Sequence, residues 1–317
     1  MNFSTLKTYL SWAKAHAPKV PFAFIFAQDD IELTHTVAHH IKLGFRQTVV
    51  LADIPIARPE DLPDEVAFIP RPAKSSSDIS QEMNAVITAL HQRWIYCGYN
   101  GEYLYYPFCE TRGIGEIIAF NTEERRKTIP TTVVDLYAGH LGQSPDRVDV
   151  KSTYLDRLGY YTETRQDGEK ALLPQQFNIY GGLRRRFEEH VPWQKRRIDR
   201  VALFQNQRGL KFQPDFTFNL PEFNTISCPW HHNLPAALCS FRAAKALRRN
   251  SGSHHAIPSF RWSGSEQFKW QSQQLMDLDE TGSLVLSLTL RLAAQSDNHI
   301  DFGNLRPLWG VGQHRNL

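Results

Sequence analysis

The residues with the clearest chemical potential follow the first apolar run of the chain. Gln28, Asp29, Asp30 and Glu32 come directly after, or close behind, the six apolar residues 22–27. Carboxylate and amide groups at the end of a buried strand suit hydrogen bonds to ribose hydroxyls or to the edge of a base. An equally weighted alternative for Asp30 is that it caps the helix that follows.

No glycine-rich phosphate loop accompanies these residues. Neither G-x-G-x-x-G nor G-x-x-x-x-G-K-[ST] occurs near the end of this run, which disfavours a glycine-rich dinucleotide site and a P-loop. Ligands of open α/β sheets bind at the carboxyl ends of the strands. Later apolar segments end at Asp53, Arg71 and residues 98–102, which are therefore further candidate positions.

A second concentration of reactive groups lies in the sequence CPWHHN at residues 228–233. His231 and His232 can each offer an imidazole to a metal ion or a substrate. Adjacent residues of a strand point to opposite faces, so one of the two would reach a given ion. The alternative is a buried histidine whose hydrogen bonds are satisfied inside the protein. Cys228 is expected to be an inert buried thiol.

Positive charge is local and not global. The chain has 36 lysines and arginines against 33 acidic residues, a net charge of +3 that disfavours nucleic-acid binding by the whole protein. Basic residues concentrate in segments 184–200 and 242–249. Arginine side chains there suit phosphate, acidic glycans or anionic lipid headgroups. The alternative is a solvated helix face paired with Glu188 and Glu189.

The elements that must position these residues alternate between strand and helix in the first third of the chain. Residues 22–27 predict a strand buried on both faces. Apolar residues spaced four apart over 33–41 predict a helix ending near Gly44, and residues 48–53 predict the next strand. This is one βαβ unit.

The same alternation continues to about residue 106. Residues 66–69 and 93–97 predict strands, separated by a helix over 79–90 with Asp78 and Gln81 as its capping box. The aromatic residues that follow end the regular pattern.

Beyond about residue 120 the prediction is mixed. Residues 133–138 fit a strand or a helix, a loop-rich stretch extends to 178, and 240–247 predict a helix with a basic face. The last residues lack clean periodicity apart from 284–292.

Composition sets the broad class and the expected compartment. A hydrophobic fraction of 41%, a charged fraction of 22% and a mean hydropathy of -0.43 indicate a soluble globular protein. No run approaches the ~18 to 20 apolar residues that span a bilayer. The N-terminus predicts an amphipathic helix instead of a signal peptide, and the four cysteines include no C-x-x-C pair. We therefore expect a cytoplasmic protein whose contact with a membrane is at most peripheral.

The order of the first elements resembles the GT-A glycosyltransferases, particularly family 2-like bacterial proteins. The corresponding segments are strand 22–27, its polar end at 28–32, HIKLG at 40–44 and VVLAD at 49–53. The resemblance implies a nucleotide-sugar donor held at Gln28, Asp29, Asp30, Asp53 and Arg71. It also implies transfer of the sugar to a polysaccharide or lipid-linked glycan acceptor.

The Asp-x-Asp motif of that family, whose carboxylates hold a divalent ion on the donor diphosphate, is degenerate here. In the corresponding segment Tyr99 and Gly101 stand where the aspartates are expected, and Glu102 follows them. The resemblance implies Mn²⁺ or Mg²⁺, for which the remaining ligands are Glu102 with His231 or His232.

An inverting sugar transfer needs a carboxylate that accepts the proton of the acceptor hydroxyl. Glu222 and Glu102 are the leading candidates, with Asp199 as a third. The missing aspartates favour a different class, a catalytically silent glycan- or nucleotide-binding protein on the same scaffold. A nucleic-acid-associated protein is a third class, and no nucleic-acid partner is expected.

The expected fold is α/β, a GT-A-like half-Rossmann mixed sheet with helices on both faces and an α+β C-terminal elaboration. Residues 1–120 are expected to form the nucleotide-binding half and residues 121–278 the acceptor half of one domain. Residues 279–317 are expected to form a tail.

Overall fold

A computed structural model of the chain describes residues 1–72, 79–144, 146–226 and 236–280. Its helices and strands are, in chain order, α1 (Leu6–His16), β1 (Phe22–Ala27), α2 (Leu33–Lys42), β2 (Gln47–Asp53), β3 (Ala67–Arg71), α3 (Ser80–Ala89), β4 (Trp94–Tyr99), β5 (Glu102–Tyr105), α4 (Ile114–Glu123), β6 (Thr128–Ala138), β7 (Thr153–Asp156), β8 (Tyr161–Gln166), β9 (Leu172–Tyr180), α5 (Gly182–Arg186), β10 (Asp199–Gln205), β11 (Ala236–Ser240), α6 (Arg242–Arg249), α7 (Ser251–His254), β12 (Ser265–Gln267) and α8 (Ser272–Glu280). Short 3-10 turns cover Glu188–His190, Trp193–Lys195 and Pro221–Phe223.

Ten of these strands form one mixed sheet. Eight of them follow the order β12-β7-β6-β10-β4-β1-β2-β3, and β11 pairs with both β6 and β5. The first four strands run parallel to one another, whereas β10 is antiparallel to both β4 and β6. Strands β8 and β9 form a separate hairpin.

Helices cover both faces of the parallel part of the sheet. In β1, Phe24 and Phe26 pack in the cluster that contains the buried faces of α1 and α3, and Ile25 packs with Leu33 and Val37 of α2. Every residue of β1 is buried because neighbours lie above and below it. The predicted mixed α/β fold with helices on both faces is confirmed.

The first βαβ unit follows the prediction closely. Helix α2 ends at Lys42, and Gly44 has a φ of 100°, a left-handed conformation that glycine adopts without steric cost. Strand β2 then runs parallel to β1 in register from Phe22 opposite Gln47. Residue 78, the predicted cap of α3, lies outside the described residues.

The later part of the chain contains more strands than its sequence pattern predicts. The expected loop-rich stretch to residue 178 is wrong, because β7, β8 and β9 lie within it. The residues of β8 are exposed or half-buried throughout, so the strand lacks the alternation of apolar residues that would reveal it. Residues 133–138 belong to a strand, β6. Residues 284–292 lie outside the described part of the chain.

Strands from both sides of residue 120 share the large sheet, with β10 between β4 and β6. The division of the chain at residues 120 and 278 stays a prediction. Within the described ranges, no helix is long and apolar enough to cross a membrane.

Candidate functional site

The polar residues after β1 and β4 meet at one edge of the sheet. Strand β1 has β2 on one side and β4 on the other, an arrangement that opens a crevice at the carboxyl ends of the strands. The backbone N–H of Gln28 donates to Asn100 Oδ1 over 3.1 Å. Asn100 Nδ2 donates to Asp29 Oδ1 over 2.6 Å. The predicted strand-end residues are therefore adjacent, and Asn100 joins them.

Helix α6 packs against this edge through two ion pairs to Asp29. Lys245 Nζ lies 2.9 Å from Oδ1 and Arg249 Nη2 lies 2.8 Å from Oδ2. Burial raises the pKa of Asp29, but the charges of Lys245 and Arg249 and the hydrogen bonds from Lys245 and Asn100 outweigh it and lower the pKa. Both carboxylate oxygens are thus used inside the protein. The predicted role of Asp29 in holding a nucleotide stays a prediction.

The basic face predicted for α6 needs correction at one position. Lys245 is buried, since its ammonium group faces Asp29 and the carbonyl of Asn100 and does not face solvent. Burial lowers the pKa of Lys245, and Asp29 opposes that effect. This lysine joins the helix to the strand ends.

Asp30 and Glu32 have different surroundings from those expected. The N-terminal cap position of α2 is Glu32, with a φ of 60° and no capping bond from its side chain. The alternative that Asp30 caps this helix is therefore wrong. The Glu32 carboxylate accepts from Tyr103 Oη over 2.6 Å and lies 3.0 Å from His35 Nδ1. Asp30 is exposed at the strand edge, and its carboxylate makes no hydrogen bond to the residues described.

Asp53 and Arg71 pair with each other at the ends of β2 and β3. They are register partners, and Arg71 Nε donates to Asp53 Oδ1 over 2.5 Å. The buried guanidinium of Arg71 also lies 3.5 Å from Glu82 and 5.1 Å from the ring centre of Phe26. The structure therefore brings these two predicted residues together, and their role in binding a nucleotide stays a prediction.

Glu102 lies in a buried ion pair with Arg200. Its Oε1 accepts from Arg200 Nη1 over 3.2 Å and from Ser240 Oγ over 3.1 Å. Its Oε2 accepts from Arg200 Nη2 and from the Tyr99 amide. Two carboxylate oxygens offer about four acceptor positions, so these donors use them all.

The ionisation of Glu102 follows from the same neighbours. Burial raises its pKa, but the charges of Arg200 and Arg242 and the hydrogen bonds outweigh burial and hold the pKa at about 2. A carboxylate this acidic is a poor general base, and its acceptor positions are already used by donors of the protein. The predicted roles of Glu102 as base and as metal ligand stay predictions.

The other predicted metal ligands and bases have separate outcomes. His231 and His232 lie outside the described residues, so the predicted Mn²⁺ or Mg²⁺ site stays a prediction. Within ranges 1–72, 79–144, 146–226 and 236–280, no three histidine, cysteine or acidic residues are grouped to hold a metal ion. Glu222 is exposed in the turn at Pro221–Phe223. Asp199 accepts from Arg165, Arg197 and the Ile179 amide, and so it is fully engaged.

A cavity of about 330 Å³ opens beside the Glu102–Arg200 pair. It lies next to the ends of β4 and β10 and below α6. Its lining includes two aromatic rings, five basic side chains, one histidine and two acidic side chains: Tyr99, Phe216, Arg184, Lys195, Arg197, Arg200, Arg242, His190, Asp199 and Asp215. Basic groups thus outnumber acidic groups, and the cavity favours an anionic ligand.

A guanidinium group stacks on each of the two aromatic rings. Arg242 lies 3.5 Å from the ring centre of Tyr99 and donates to Gln28 Oε1 over 3.1 Å. Arg200 lies 4.6 Å from the ring centre of Phe216. Stacking of this kind holds a guanidinium in place while its charge stays available.

Most, but not all, of the basic lining residues are neutralised by the protein. Arg184 pairs with Asp135, and Arg197 pairs with both Asp199 and Asp215. Arg242 and Lys195 form no ion pair with any residue in the described ranges. Lys195 is exposed, whereas Arg242 is held by Tyr99 and Gln28 and its charge also acts on Glu102.

The arginines of segment 184–200 pair partly with the neighbouring glutamates and partly with other acidic residues. Arg185 and Arg196 pair with Glu188, as the alternative reading expected. The other arginines form ion pairs with buried acidic residues. Arg184 pairs with Asp135, Arg186 with Asp156, Arg197 with Asp199 and Arg200 with Glu102. The sequence did not reveal Phe216 or Asp215 as cavity residues, since neither belongs to a recognisable motif.

Comparisons with known proteins give no family for this chain. No family model matches it, and no curated protein matches its sequence. Among solved structures, it is similar to a Bacillus anthracis protein in complex with sucrose, provisionally described as a glucose-1-phosphate thymidylyltransferase. The identity is 7% and the TM-score 0.26, over 90% of this chain and 97% of that one. A likeness at this level carries no functional argument.

Proposed function

We propose that the protein binds a nucleoside diphosphate sugar in the cavity and transfers the sugar to a glycan or lipid-linked acceptor. The observation that carries the proposal is the cavity itself. It lies at the strand-end edge where α/β sheets bind ligands, and it combines Tyr99 and Phe216 with an excess of basic side chains. A nucleoside diphosphate sugar presents matching parts, a flat base and two phosphates.

In this proposal, cationic side chains offset the charge of the diphosphate. As the bond between the sugar and the diphosphate breaks, the leaving group takes the electron pair and its negative charge. Arg242 and Lys195 are the cavity cations that form no direct ion pair with a described residue, and they suit this charge. Gln28 holds Arg242 in position by a hydrogen bond.

The acceptor hydroxyl forms the new bond to the sugar and must lose its proton. Among the cavity residues, His190 suits this step, because a neutral imidazole nitrogen can accept a proton. Its Nε2 lies 3.6 Å from Glu189, whose carboxylate would stabilise the imidazolium. Glu222, the base predicted from the sequence, is exposed and does not line the cavity.

A second candidate function is binding without catalysis. The observation in its favour is that Glu102, at the position of the catalytic metal motif, is fully engaged by Arg200, Ser240 and Tyr99. On this alternative the cavity binds a nucleotide sugar, and no sugar is released or transferred. Contact of the arginine segment with anionic lipid stays a prediction.

The test is a thermal-shift panel of UDP-, GDP-, CMP- and dTDP-sugars, each with EDTA and with Mn²⁺. A ligand at 100 times its Kd stabilises the folded state by about 2.7 kcal/mol. We expect one nucleotide class to raise the Tm in EDTA, and release of free nucleotide over time would separate the transferase from the silent binder. No shift under either condition would refute both.

A further inference from the structure

Three aromatic side chains form a stack on the surface beside the cavity. Tyr161 and Tyr180 are partners across β8 and β9, with ring centres 5.1 Å apart and planes 21° apart. Trp193 continues the stack, 5.9 Å from Tyr180 with planes 30° apart. We call Tyr161, Tyr180 and Trp193 the aromatic stack.

The outer members of the aromatic stack are solvent-exposed. Trp193 is 59% exposed and Tyr161 is 40% exposed, whereas Tyr180 is buried between them. A large ring that remains in water contributes little to the core, and exposed apolar surface of this kind commonly marks a binding site. The stack therefore presents an apolar surface that the fold itself does not need to bury.

The aromatic stack is continuous with the cavity. Pro192 and Gln194, the neighbours of Trp193 in the chain, both line the cavity. Tyr180 forms an isolated bridge with Arg197, another cavity residue. A molecule resting on the stack would thus have one end at the cavity mouth.

The charges around the aromatic stack are of both signs. The guanidinium of Arg185 lies 5.8 Å from the ring centre of Tyr161, and that of Arg196 lies 5.5 Å from the ring centre of Trp193. Glu188 pairs with both arginines at 2.8 and 3.4 Å. Single-stranded nucleic acid binds to aromatic platforms in strongly positive grooves, which this balance disfavours.

We propose that the aromatic stack binds a neutral carbohydrate chain, which serves as the acceptor of the transferred sugar. The C–H faces of two different sugar residues of the chain pack on the indole of Trp193 and on the phenol ring of Tyr161, at the two ends of the stack. The sugar hydroxyls bond to guanidinium donors and to carboxylate acceptors, which the mixed charges supply. The acceptor role rests on the proposed function, whereas carbohydrate binding at the stack does not.

The test begins with the full chain on an array of neutral oligosaccharides built from glucose, galactose, mannose, rhamnose and N-acetylhexosamines. The tightest of these is then titrated calorimetrically into the protein and its variants. We expect Trp193→Ala and Tyr161→Ala each to weaken binding at least about tenfold. Trp193→Phe should retain most of the affinity because it keeps an aromatic face.

Leu172→Ala is the matched control. Leu172 is also on the β8–β9 hairpin and is 63% exposed, but it is not part of the stack. Its affinity for the oligosaccharide should equal that of the unsubstituted protein. Because Trp193 is exposed, Trp193→Ala should fold, and an unchanged nucleotide-sugar thermal shift in that variant would show that the cavity is intact.

The proposal is overturned if no array member binds, or if Trp193→Ala binds the oligosaccharide as tightly as the unsubstituted protein. It is also overturned if an oligo-uridine ligand binds at the stack with strong salt dependence and no glycan does. Glycan binding without any nucleotide-sugar shift would support the carbohydrate site and overturn the acceptor role.

Discussion

The buried pair between Glu102 and Arg200 permits a quantitative prediction. Removing the carboxylate with Glu102→Ala leaves the Arg200 guanidinium buried and uncompensated, and loss of one partner of such a pair costs about 3–5 kcal/mol. The lowered pKa of Glu102 has the same sign, since the folded protein favours the ionised carboxylate more than the unfolded chain does.

The sign of the pH dependence follows from the lowered pKa of Glu102. The stabilisation is complete above the ordinary value of 4.5 and is lost as the pH falls toward about 2, because the folded state binds this proton less readily than the unfolded state. The unsubstituted protein should therefore lose stability through this window. Glu102→Gln should lack that contribution, since it has no carboxyl group to titrate.

The assay is urea unfolding at pH 7 and at pH 3 for the unsubstituted protein, Glu102→Ala and Glu102→Gln. Glu123→Ala is the control, because Glu123 is exposed on α4 and its carboxylate forms no hydrogen bond or ion pair with the residues described. We expect a loss of about 3–5 kcal/mol for Glu102→Ala at pH 7 and under about 1 kcal/mol for the control. A Glu102→Ala protein as stable as the control would refute the reasoning, as would a stability loss that appears only when Mn²⁺ is added.

Three further predictions follow from the site. Arg242→Ala should lower the nucleotide-sugar thermal shift while the remote Arg112→Ala retains it in full, because Arg242 is a cavity cation and Arg112 is an exposed residue of another surface; equal shifts would contradict this. His190→Ala should lower kcat by about 10²–10⁴-fold with little change in nucleotide-sugar affinity, measured by product release and by calorimetry; a loss of affinity with unchanged kcat would contradict a role as base. Lys245→Met should lower the free energy of unfolding by about 1–3 kcal/mol, since Asp29 loses a buried partner, and a urea midpoint within error of the unsubstituted protein would refute that estimate.

The local pattern of apolar residues was sufficient to predict the strands and helices of the N-terminal half of the sheet. The continuous apolar run of β1 and the four-residue spacing of α2 are strong signals, and Gly44 marks the end of the helix by its left-handed conformation. Placing Asp29, Asp53 and Arg71 at strand ends followed from the same pattern.

The partners of those residues could not be predicted, because they come from distant parts of the chain. Asp29 is joined to Lys245 across 216 positions, and Glu102 is joined to Arg200 across 98. In the sequence, Glu102 resembles a metal ligand because it lies in the segment that corresponds to the Asp-x-Asp motif. Only the fold shows that its carboxylate is already paired with Arg200. The β8–β9 hairpin escaped prediction for a different reason, since β8 has no buried residue and carries no apolar alternation.

The most direct test of the central claim is calorimetric titration of UDP-, GDP-, CMP- and dTDP-sugars into the full chain in EDTA, with Arg242→Ala in parallel. The account predicts that one nucleotide class binds without added metal and that Arg242→Ala weakens its binding at least about tenfold, as expected for loss of a charge-assisted contact to phosphate. Failure of every nucleotide sugar to bind, with or without Mn²⁺, or equal affinity of the variant, would contradict it.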